Sequence, residues 1–205
     1  MLRLVGSGEI VGYGSCCNTE NIVTSVSATC LPPPSPPASP PDFLRNPLAV
    51  GSATDGVNGF DELEGAAFLA TFVIGASTYA IVVARNDNGV QLIDVSDPSS
   101  PVAMGSATDG VNGFDELDGA YAEATFVIGT STYAIVASYT DDGVQLIDVS
   151  DPSSPVAVGS ATDGVNGFDE LDGARSVATF VIGTSTYAIV ASYMDDGVQL
   201  LQVGG

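Results

Sequence analysis

A repeat of 54 residues is the feature that most restricts the folds open to this chain. The segment Gly-Ser-Ala-Thr-Asp-Gly-Val-Asn-Gly-Phe-Asp-Glu-Leu begins at Gly51, begins again at Gly105 and begins a third time at Gly159. Shorter segments, Phe-Val-Ile-Gly and Gly-Val-Gln-Leu, recur with the same period. A fixed period of this length indicates an architecture in which each unit buries its apolar surface against the next.

Each repeat contains four runs of residues that favour β-strands. In the second repeat these runs are residues 124–128, 132–139, 144–149 and 156–161, and turn-forming Gly, Asp, Ser and Pro residues separate them. The runs are rich in β-branched and aromatic residues, which suit strands. The two middle runs are almost continuously apolar, which indicates sheets covered on both faces. The sequence therefore predicts an all-β fold.

Four short antiparallel strands per repeat describe one blade of a β-propeller. Residues 47–205 hold three such repeats, at about 51–104, 105–158 and 159–205. The alternative architecture is a β-solenoid or filament array, whose coils are usually much shorter than 54 residues.

The repeats also resemble a known family. Residues 143–156 (Gly-Val-Gln-Leu-Ile-Asp-Val-Ser-Asp-Pro-Ser-Ser-Pro-Val), with 173–178 (Gly-Ala-Arg-Ser-Val-Ala) and 187–191 (Tyr-Ala-Ile-Val-Ala), are similar to the LVIVD repeat of β-propellers. The resemblance covers residues 47–205 and implies an extracellular or surface propeller used for binding or adhesion. It implies no shared catalytic residues. The period of this chain is longer than that of the family, chiefly through the insertion at residues 109–119.

The phase of the repeats predicts self-association. Residues 48–53 have the sequence of a fourth strand, whereas residues 197–201 have that of a third strand. Propellers normally close with four to eight blades, and an unpaired sheet edge needs a partner. Strand exchange between copies of this chain would complete the last blade. The product would be a two-chain, six-bladed ring with two-fold symmetry or a filament.

The charge excludes several classes of function. The chain has 25 acidic residues, four arginines, no lysine and no histidine, giving a net charge of −21. Without His or Lys, catalytic triads based on His, Schiff-base chemistry and phosphate-binding P-loops are excluded. So acidic a surface repels nucleic acid and anionic membranes, and no apolar run is long enough to span a bilayer.

The residues before the repeats form two predicted segments, a Cys-containing segment at 1–30 and a Pro-rich linker at 31–46. A disulfide between Cys30 and either Cys16 or Cys17 would close a short loop, and three reduced thiols are the alternative. The linker predicts an extended polyproline II spacer. Its Ser-Pro-Pro units resemble those of hydroxyproline-rich surface glycoproteins, and an unmodified linker is the alternative. That resemblance makes glycosylation candidates of Ser35, Ser39, Pro33, Pro34, Pro36 and Pro37.

An acidic loop recurs in every repeat and is a candidate Ca²⁺ site. Oxygen ligands and glycines are concentrated in residues 109–119 and their copies, although the EF-hand spacing is absent. Solvated acidic loops are the alternative. The candidate ligands are Asp55, Asn58, Asp61, Glu62, Asp109, Asn112, Asp115, Glu116, Asp163, Asn166, Asp169 and Glu170. The loop phenylalanines are expected to form small satellite cores; they are Phe60, Phe114 and Phe168.

Differences between the repeats cluster in two places, which predicts a variable rim at one end of the blades. A hairpin turning near residues 76–77 would place residue 68 roughly opposite residue 85, so both variable clusters would lie at one end of the blade. Binding loops at that end would explain the variation, and tolerated sequence drift is the alternative. The candidate rim residues are Phe68, Arg85, Tyr121, Glu123, Tyr139, Arg175, Tyr193 and Met194.

Two functions follow from these features, and neither is catalytic. The carboxylates recur almost unchanged in every repeat, whereas an active site needs distinct environments for its acid and base. The first prediction is a secreted or cell-surface structural protein that assembles with itself by strand exchange. The alternative is an adhesion module that binds carbohydrate or protein at the variable acidic rim.

Overall fold

The computed structural model describes residues 2–5, 9–13, 28–31 and 47–205, in two compact units, Met1–Leu48 and Ala49–Gly205. In the first unit, β1 (Leu2–Val5) pairs antiparallel with β2 (Glu9–Tyr13), and β2 pairs parallel with β3 (Ala28–Leu31). The predicted disulfide partners Cys16 and Cys17, the side chain of Cys30 and residues 32–46 with their glycosylation candidates lie outside this description.

The second unit consists of three antiparallel sheets, one for each repeat. The first blade contains β4 (Ala66–Ile74), β5 (Ser77–Ala84), β6 (Gly89–Asp94) and β7 (Val102–Thr108). The second blade contains β8 (Ala120–Ile128), β9 (Ser131–Ser138), β10 (Gly143–Asp148) and β11 (Val156–Thr162). The third blade contains β12 (Ala174–Ile182), β13 (Ser185–Ser192) and β14 (Gly197–Gly204).

Consecutive strands are neighbours in every blade, as in a β-propeller. The prediction of all-β, propeller-type blades is therefore confirmed, and the three sheets do not close into a ring. Each repeat folds back on itself antiparallel, so the solenoid alternative is wrong. None of the residues that the structure describes forms a helix long and apolar enough to cross a membrane.

The first strand of each blade is longer than the sequence predicts. In the second blade it begins at Ala120 rather than at Ala124, because Ala122 pairs with Ala137 and Glu123 pairs with Val136 beyond a bulge. Apart from Tyr121, the residues added to β8 are alanines and a glutamate, which carry little β-propensity. Pairing with a strong neighbouring strand decides their conformation, and it brings the first variable cluster onto a strand rather than a loop.

The apolar core lies between adjacent blades. Between the first and second blades, Ile81, Val83, Val90 and Leu92 meet Leu117, Val136 and Ile147, and all seven side chains are fully buried. The second and third blades share an equivalent core. Burial of one such aliphatic side chain contributes about 1.5–3 kcal/mol. This packing confirms that the middle strands are covered on both faces in the first two blades.

The loop phenylalanines pack in apolar clusters, as the sequence predicts, but only one of them forms a separate small core. Phe60 belongs to a small cluster of its own on the first blade, with Ala80, Val82 and Ile93. Phe114 is buried in the main core between the first and second blades, and Phe168 packs half-buried against the core between the second and third. The satellite-core interpretation therefore holds for Phe60, whereas Phe114 is part of the main core.

Candidate functional site

The outer edge differs between the third blade and the other two. In the first blade β7 covers β6, with Val90 paired to Ala107, and β11 covers β10 in the same way in the second blade. In the third blade the described residues provide no strand beyond β14, whose outer edge is free. We call β14 the open edge.

A segment with the sequence of the missing strand lies at the start of the repeats. Residues 48–54, Leu-Ala-Val-Gly-Ser-Ala-Thr, correspond to Val-Ala-Met-Gly-Ser-Ala-Thr in β7. We call residues 48–54 the donor segment. It pairs with no described strand, and its apolar side chains Leu48 and Val50 are 83% and 56% exposed. The predicted fourth-type strand is therefore present in sequence but has no ladder partner among the described residues.

The donor segment already packs against the first blade as an outer strand packs against its next blade. The Gly105 amide in β7 donates a hydrogen bond to the Pro152 carbonyl of the second blade, at 2.8 Å. Gly51, the counterpart of Gly105, lies so close to the Pro98 carbonyl of the first blade that a Cβ atom there would clash with it. One side of the donor segment is therefore placed as in a complete blade, and its other side is open.

The open edge exposes apolar residues that are buried in the other blades. Val90 and Leu92 of β6 are fully buried, whereas their counterparts Val198 and Leu200 of β14 are 53% and 56% exposed. Ile182 at the end of β12 is exposed as well. The third blade therefore presents half of an inter-blade core without the other half.

In the first two blades a buried carboxyl group joins the acidic loop to the outer strand of the same blade. Thr108 Oγ1 donates to Glu62 Oε1 in the first blade, and Thr162 Oγ1 donates to Glu116 Oε1 in the second. Both glutamates are buried, which raises the pKa of Glu62 and raises that of Glu116 to about 7. In the third blade Glu170 is exposed and has no threonine opposite it among the described residues.

A buried glutamine forms a second link to the outer strand. Gln91 Nε2 donates to the Gly105 carbonyl at 3.0 Å, and Gln145 Nε2 donates to the Gly159 carbonyl at 2.8 Å. Gln199, the counterpart on β14, donates only to the carbonyl of its neighbour Leu200, at 3.4 Å. Neither link is predicted from the sequence; the available signal is a polar residue recurring inside an otherwise apolar strand.

The acidic loops use many of their carboxylates to bind their own backbone. Asp109 Oδ1 accepts from the Leu117 amide at 3.0 Å, and Asp141 Oδ2 accepts from the Asp118 amide at 2.7 Å. Burial, with smaller contributions from Asp109 and Asp118, raises the pKa of Asp141 to about 6. The same loop contacts recur from Asp55 and from Asp163.

The candidate Ca²⁺ ligands do not gather around one point. The asparagines of the set occupy left-handed turn positions, with φ of 56° at Asn58, 55° at Asn112 and 54° at Asn166, where Asn is favoured for conformational reasons. Across the described residues, no group of three or more His, Cys, Asp or Glu side chains is arranged to hold a metal ion. Calcium binding by these loops stays a prediction, and a titration with Ca²⁺ monitored by thermal unfolding would test it.

The variable rim residues come together where the three inner strands begin. The guanidinium carbon of Arg175 lies 4.2 Å from the ring centroid of Tyr193, 4.6 Å from that of Tyr139 and 5.4 Å from that of Tyr121. Arg85 approaches the rings of Tyr121 and Tyr139 at 5.8 and 5.9 Å. We call this set the Arg–Tyr cluster. It unites residues from all three blades, as cation–π contacts.

Three further rim candidates adjoin the Arg–Tyr cluster. The Phe68 ring lies 5.4 Å from that of Tyr121, and Met194 packs beside Gly173. Glu123 lies in β8, two residues after Tyr121; burial raises its pKa to about 7, and its Oε2 atom has no hydrogen-bond partner among the described residues.

The predicted register of the first hairpin is wrong by two residues. Phe68 pairs with Val83 rather than with residue 85, because the hairpin turns at residues 75–76 and pairs Ile74 with Ser77. Gly75, with φ of 63°, makes that two-residue turn possible. Arg85 lies beyond the strand, where its amide donates to the Gly65 carbonyl at 3.2 Å. Both variable clusters nevertheless lie at the same end of the blade.

Comparison with protein families finds a match for the repeat. The model of the LVIVD repeat matches residues 78–109 and 130–163. Two segments of the chain are therefore similar to LVIVD repeats. Each matched LVIVD segment covers the last three strands of a blade, β5 to β7 or β9 to β11, and ends where the acidic loop begins. The family unit therefore includes the outer strand that the third blade lacks among the described residues.

Comparison with solved structures gives only distant similarity. A Bombyx mori GH32 beta-fructofuranosidase is 12% identical to this chain, with a TM-score of 0.37, and the match covers 58% of this chain and 28% of that one. A mutant of that enzyme in complex with sucrose is 12% identical, with a TM-score of 0.34, and the match covers 64% of this chain and 32% of that one. A Mycobacterium tuberculosis puromycin-hydrolyzing peptidase is 16% identical, with a TM-score of 0.32, and the match covers 76% of this chain and 24% of that one. The chain thus spans about a quarter to a third of these proteins, and no curated protein matches it in sequence.

Proposed function

We propose that this protein is a secreted or cell-surface structural protein whose blades assemble by strand exchange. The donor segment of one copy pairs with the open edge of another and completes its third blade. One observation carries the proposal: the third blade has a free outer edge, while residues 48–54 have the sequence of the strand that fits it and pair with nothing described.

The apolar surface supports the same assembly. Val198 and Leu200 expose side chains whose counterparts in the first two blades are buried or half-buried. Exposed apolar residues along an unpaired edge favour association with another strand. When a donor segment covers β14, the first blade of the donor copy also reaches the open face of the third blade. An inter-blade core then forms between copies as it does within one.

The charge distribution supports a soluble assembly outside the cell. Residues 47–205 carry 22 acidic residues and two arginines, which places most of the net charge on the blades. Like charge on the loops disfavours unspecific aggregation, while the edges remain free to pair. The Pro-rich segment supports an extracellular location as a spacer or glycosylated stalk, and amino-acid analysis for hydroxyproline in the native protein would test that part.

The assembly is tested by light scattering on the full chain, with reductant present so that disulfides do not contribute. We expect the wild type to have at least twice the monomer mass of 20.7 kDa. The variant Ala53→Asp should have the monomer mass, because the counterparts of Ala53, Ala107 and Ala161, are buried in complete blades and a charged side chain cannot be buried there.

The matched control places the same charge at a position of the donor segment whose counterparts stay exposed in complete blades. Val102 and Val156, the counterparts of Leu48 on β7 and β11, are 53% and 54% exposed, so Leu48→Asp should assemble like the wild type. A monomeric wild type, or an Ala53→Asp variant that assembles normally, would contradict the proposal.

A second function, binding at the variable rim, is favoured by the Arg–Tyr cluster. Tyr193 and Met194 are more than half exposed, and Phe68 is nearly half exposed. Aromatic faces beside guanidinium groups suit sugars and protein side chains that combine apolar and polar surface. The cluster joins residues that vary between repeats, whereas the loops around it are nearly constant.

A glycan array distinguishes this function from assembly alone. We expect the wild-type protein to bind a subset of the immobilised glycans. The variant Tyr193→Ala should not bind them, because Tyr193 is an exposed ring of the cluster. Tyr187→Ala is the control, since Tyr187 stacks on Phe180 in the same blade but outside the cluster. Equal glycan binding by the two variants, or no glycan binding by the wild type, would contradict glycan binding at the rim.

A further inference from the structure

We infer that two polar side chains of the third blade, Gln199 and Asp196, select the partner of the open edge and set the register in which the donor segment docks. The partner is a second copy of this chain, because its first blade offers the groups that both side chains bind. The inference rests on the proposed strand exchange and adds to it the residues that make the joint specific.

The side chain of Gln199 is already oriented as in a complete blade. The glutamine Oε1 atom accepts from an amide of the acidic loop at 3.2 Å in the first blade, 3.1 Å in the second and 3.2 Å in the third. In the first two blades, Nε2 then donates to a glycine carbonyl of the outer strand, at 3.0 and 2.8 Å. In the third blade Nε2 reaches only the Leu200 carbonyl among the described residues. A hydrogen-bond donor of the open edge therefore lacks the acceptor that an outer strand supplies.

The glycine carbonyl that this glutamine binds lies at an irregular point of the outer strand. The register of β7 on β6 shifts between Gln91 and Ile93, and that of β11 on β10 shifts one residue further along. At such a bulge a residue of the outer strand is left out of the regular ladder, so its polar groups need another partner. The glutamine supplies that partner, and it therefore marks one position along the outer strand.

The donor segment contains the matching acceptor. Gly51 is the counterpart of Gly105, the glycine that Gln91 binds in the first blade. A donor segment paired in the register of β7 on β6 places Ser52 opposite Gln199, because Ser106 pairs with Gln91. Nε2 of Gln199 then reaches the Gly51 carbonyl of the second copy. A displacement by two residues would keep the same side chains facing inward, but it would move this glycine away from Gln199.

The counterparts of Asp196 each hold two amides beyond their own turn. Asn88 Oδ1 accepts from the Gly119 amide of the next blade at 3.0 Å, and Asp142 Oδ1 accepts from the Gly173 amide at 2.8 Å. The carbonyls of the same two residues accept from the amide that follows the outer strand, at 2.9 and 2.8 Å. This residue therefore fastens the end of the outer strand and the next blade together.

Asp196 has the conformation that both contacts require. Its φ is 55°, against 56° at Asn88 and 53° at Asp142. Under the 54-residue period its partners are the Asp55 and Gly65 amides of the second copy. Within the described residues, Asp196 accepts no hydrogen bond from another residue, and the Gly65 amide donates none. Both halves of the contact are thus present, one at each end of the three blades.

The two side chains together favour a second copy over an unrelated strand. Any extended segment can form ladder hydrogen bonds with the open edge. Only a chain with Gly51, Asp55 and Gly65 at these spacings also presents a bulge carbonyl to Gln199 and a following blade to Asp196. The polar contacts therefore add specificity to an edge whose apolar residues would accept many strands.

Sedimentation velocity of the full chain, with reductant present, tests the role of Gln199. We expect Gln199→Leu to weaken association about 5- to 150-fold, because the Gly51 carbonyl is then covered without a donor. The matched control is Gln202→Leu, the same substitution on the same strand. The counterparts of Gln202 are Asp94 and Asp148, which bind turn residues of their own blade. The control should therefore associate like the wild type.

A pair of variants at one position tests the role of Asp196. Asp196→Gly removes the side-chain acceptor and keeps the left-handed backbone without strain, so it should weaken association over the same range. Asp196→Asn should associate like the wild type, because Asn88 makes the equivalent contact in the first blade. Rescue by asparagine shows that the acceptor atom, rather than the charge, is what the joint needs.

Disulfide formation between copies measures the register directly, in a chain whose three native cysteines are serines. Ala53→Cys with Val198→Cys reports the expected register, since Ala107 pairs with Val90 in the first blade. Ala53→Cys with Leu200→Cys reports a displacement by two residues. Only the first pair should join copies of the otherwise unchanged chain. Adding Gln199→Leu should lower the yield of the first pair and raise that of the second, whereas Gln202→Leu should change neither.

The outcomes distinguish the inference from the proposed function. If the wild type is monomeric, or if Ala53→Asp assembles normally, strand exchange itself is wrong. If the wild type assembles, but Gln199→Leu or Asp196→Gly keeps its affinity and register, the selection by these residues is wrong and strand exchange stands. Equal weakening by Gln202→Leu would also overturn the selection. Circular dichroism of each variant excludes misfolding as the cause of a loss of association.

Discussion

At the scale of single residues, the blades depend on a few polar side chains within an apolar fold. Gln91 and Glu62 both reach the outer strand of the first blade, and each forms its hydrogen bond in a buried setting. A buried hydrogen bond is costly to break because the remaining partner stays unsatisfied. These residues therefore fix the position of the outer strand more strictly than apolar packing would, and the same residues recur at the free edge of the third blade.

One residue-scale prediction concerns the glycine beneath each buried glutamate. A Cβ atom on Gly143 would lie 2.6 Å from the Ala161 carbonyl and would also clash with Glu116. We expect Gly143→Ala to lower the free energy of unfolding by about 1–3 kcal/mol, measured by urea denaturation. Gly159→Ala is the control, because its Cβ would meet only Leu146 Cδ1, at 3.6 Å. Equal stability of the two variants would show that Gly143 is not needed for close approach.

A second residue-scale prediction follows from the raised pKa of Glu116. Its folded-state pKa of about 7 exceeds the ordinary value of 4.5, so folding takes up a proton between these pH values. Stability should therefore fall as the pH rises from about 4.5 to about 7 and change little from this group above that.

Urea midpoints measured across this range provide the check. Glu116→Gln should remove part of the slope and should be relatively more stable above pH 7, because no carboxylate has to be buried. Asp115→Asn, at an exposed neighbouring residue, should leave the slope unchanged. A slope unaffected by Glu116→Gln would mean that Glu116 is ionised in the folded protein.

At the scale of elements, the outer strand is the part of the blade that can be exchanged. The inner three strands of the third blade keep their pairing without it, whereas the donor segment has no ladder without a neighbour. An isolated strand has little structure in water, because its backbone groups bond to solvent until a sheet edge is offered. The donor segment is therefore expected to gain order when it pairs.

An element-scale prediction uses the donor segment as a peptide. Excess peptide with the sequence of residues 47–54 should occupy the open edge and shift the assembly toward smaller species, as seen by size-exclusion chromatography. A peptide with aspartate at the position equivalent to Ala53 should have no effect, because the counterparts Ala107 and Ala161 are buried in complete blades. If the first peptide leaves the size of the assembly unchanged, the copies associate through a surface other than the open edge.

At the scale of the whole molecule, three blades have two unlike ends. The first blade carries the donor segment and the small cluster around Phe60, and the third blade carries the open edge. The joint is therefore head-to-tail. Such an interface closes into a ring if the rotation between copies permits and otherwise extends into a filament.

A whole-molecule prediction distinguishes the ring from the filament. Val198 and Ala53 should be directly opposite across the joint, because Val90 pairs with Ala107 in the first blade. Cysteines at both positions, in a chain whose three native cysteines are serines, should form disulfides between copies only. A ladder that stops at the dimer on a denaturing gel indicates a two-chain ring, and a longer ladder indicates a filament. The single variants Val198→Cys and Ala53→Cys should give neither ladder.

Most of the blade could be predicted from the sequence, and the register could not. The repeat period, the four runs and the turn residues predicted the antiparallel sheets, because local propensity and periodicity act over a few residues. The pairing of Phe68 with Val83 depended on a two-residue turn at Gly75 that the runs alone did not locate. The extension of β8 to Ala120 depended on the neighbouring strand rather than on its own residues.

The sequence by itself determined the repeat, the propeller-type blades, the acidic surface and the unmatched phase of first and last strands. It also identified the rim residues, because variation among near-identical repeats is visible without coordinates. Only the tertiary structure decided that Glu62 and Glu116 face threonines, that the two rim arginines share tyrosine rings, and that Val198 and Leu200 are uncovered. The physical reason is that these contacts join residues from different strands and blades, and packing in three dimensions sets their distances.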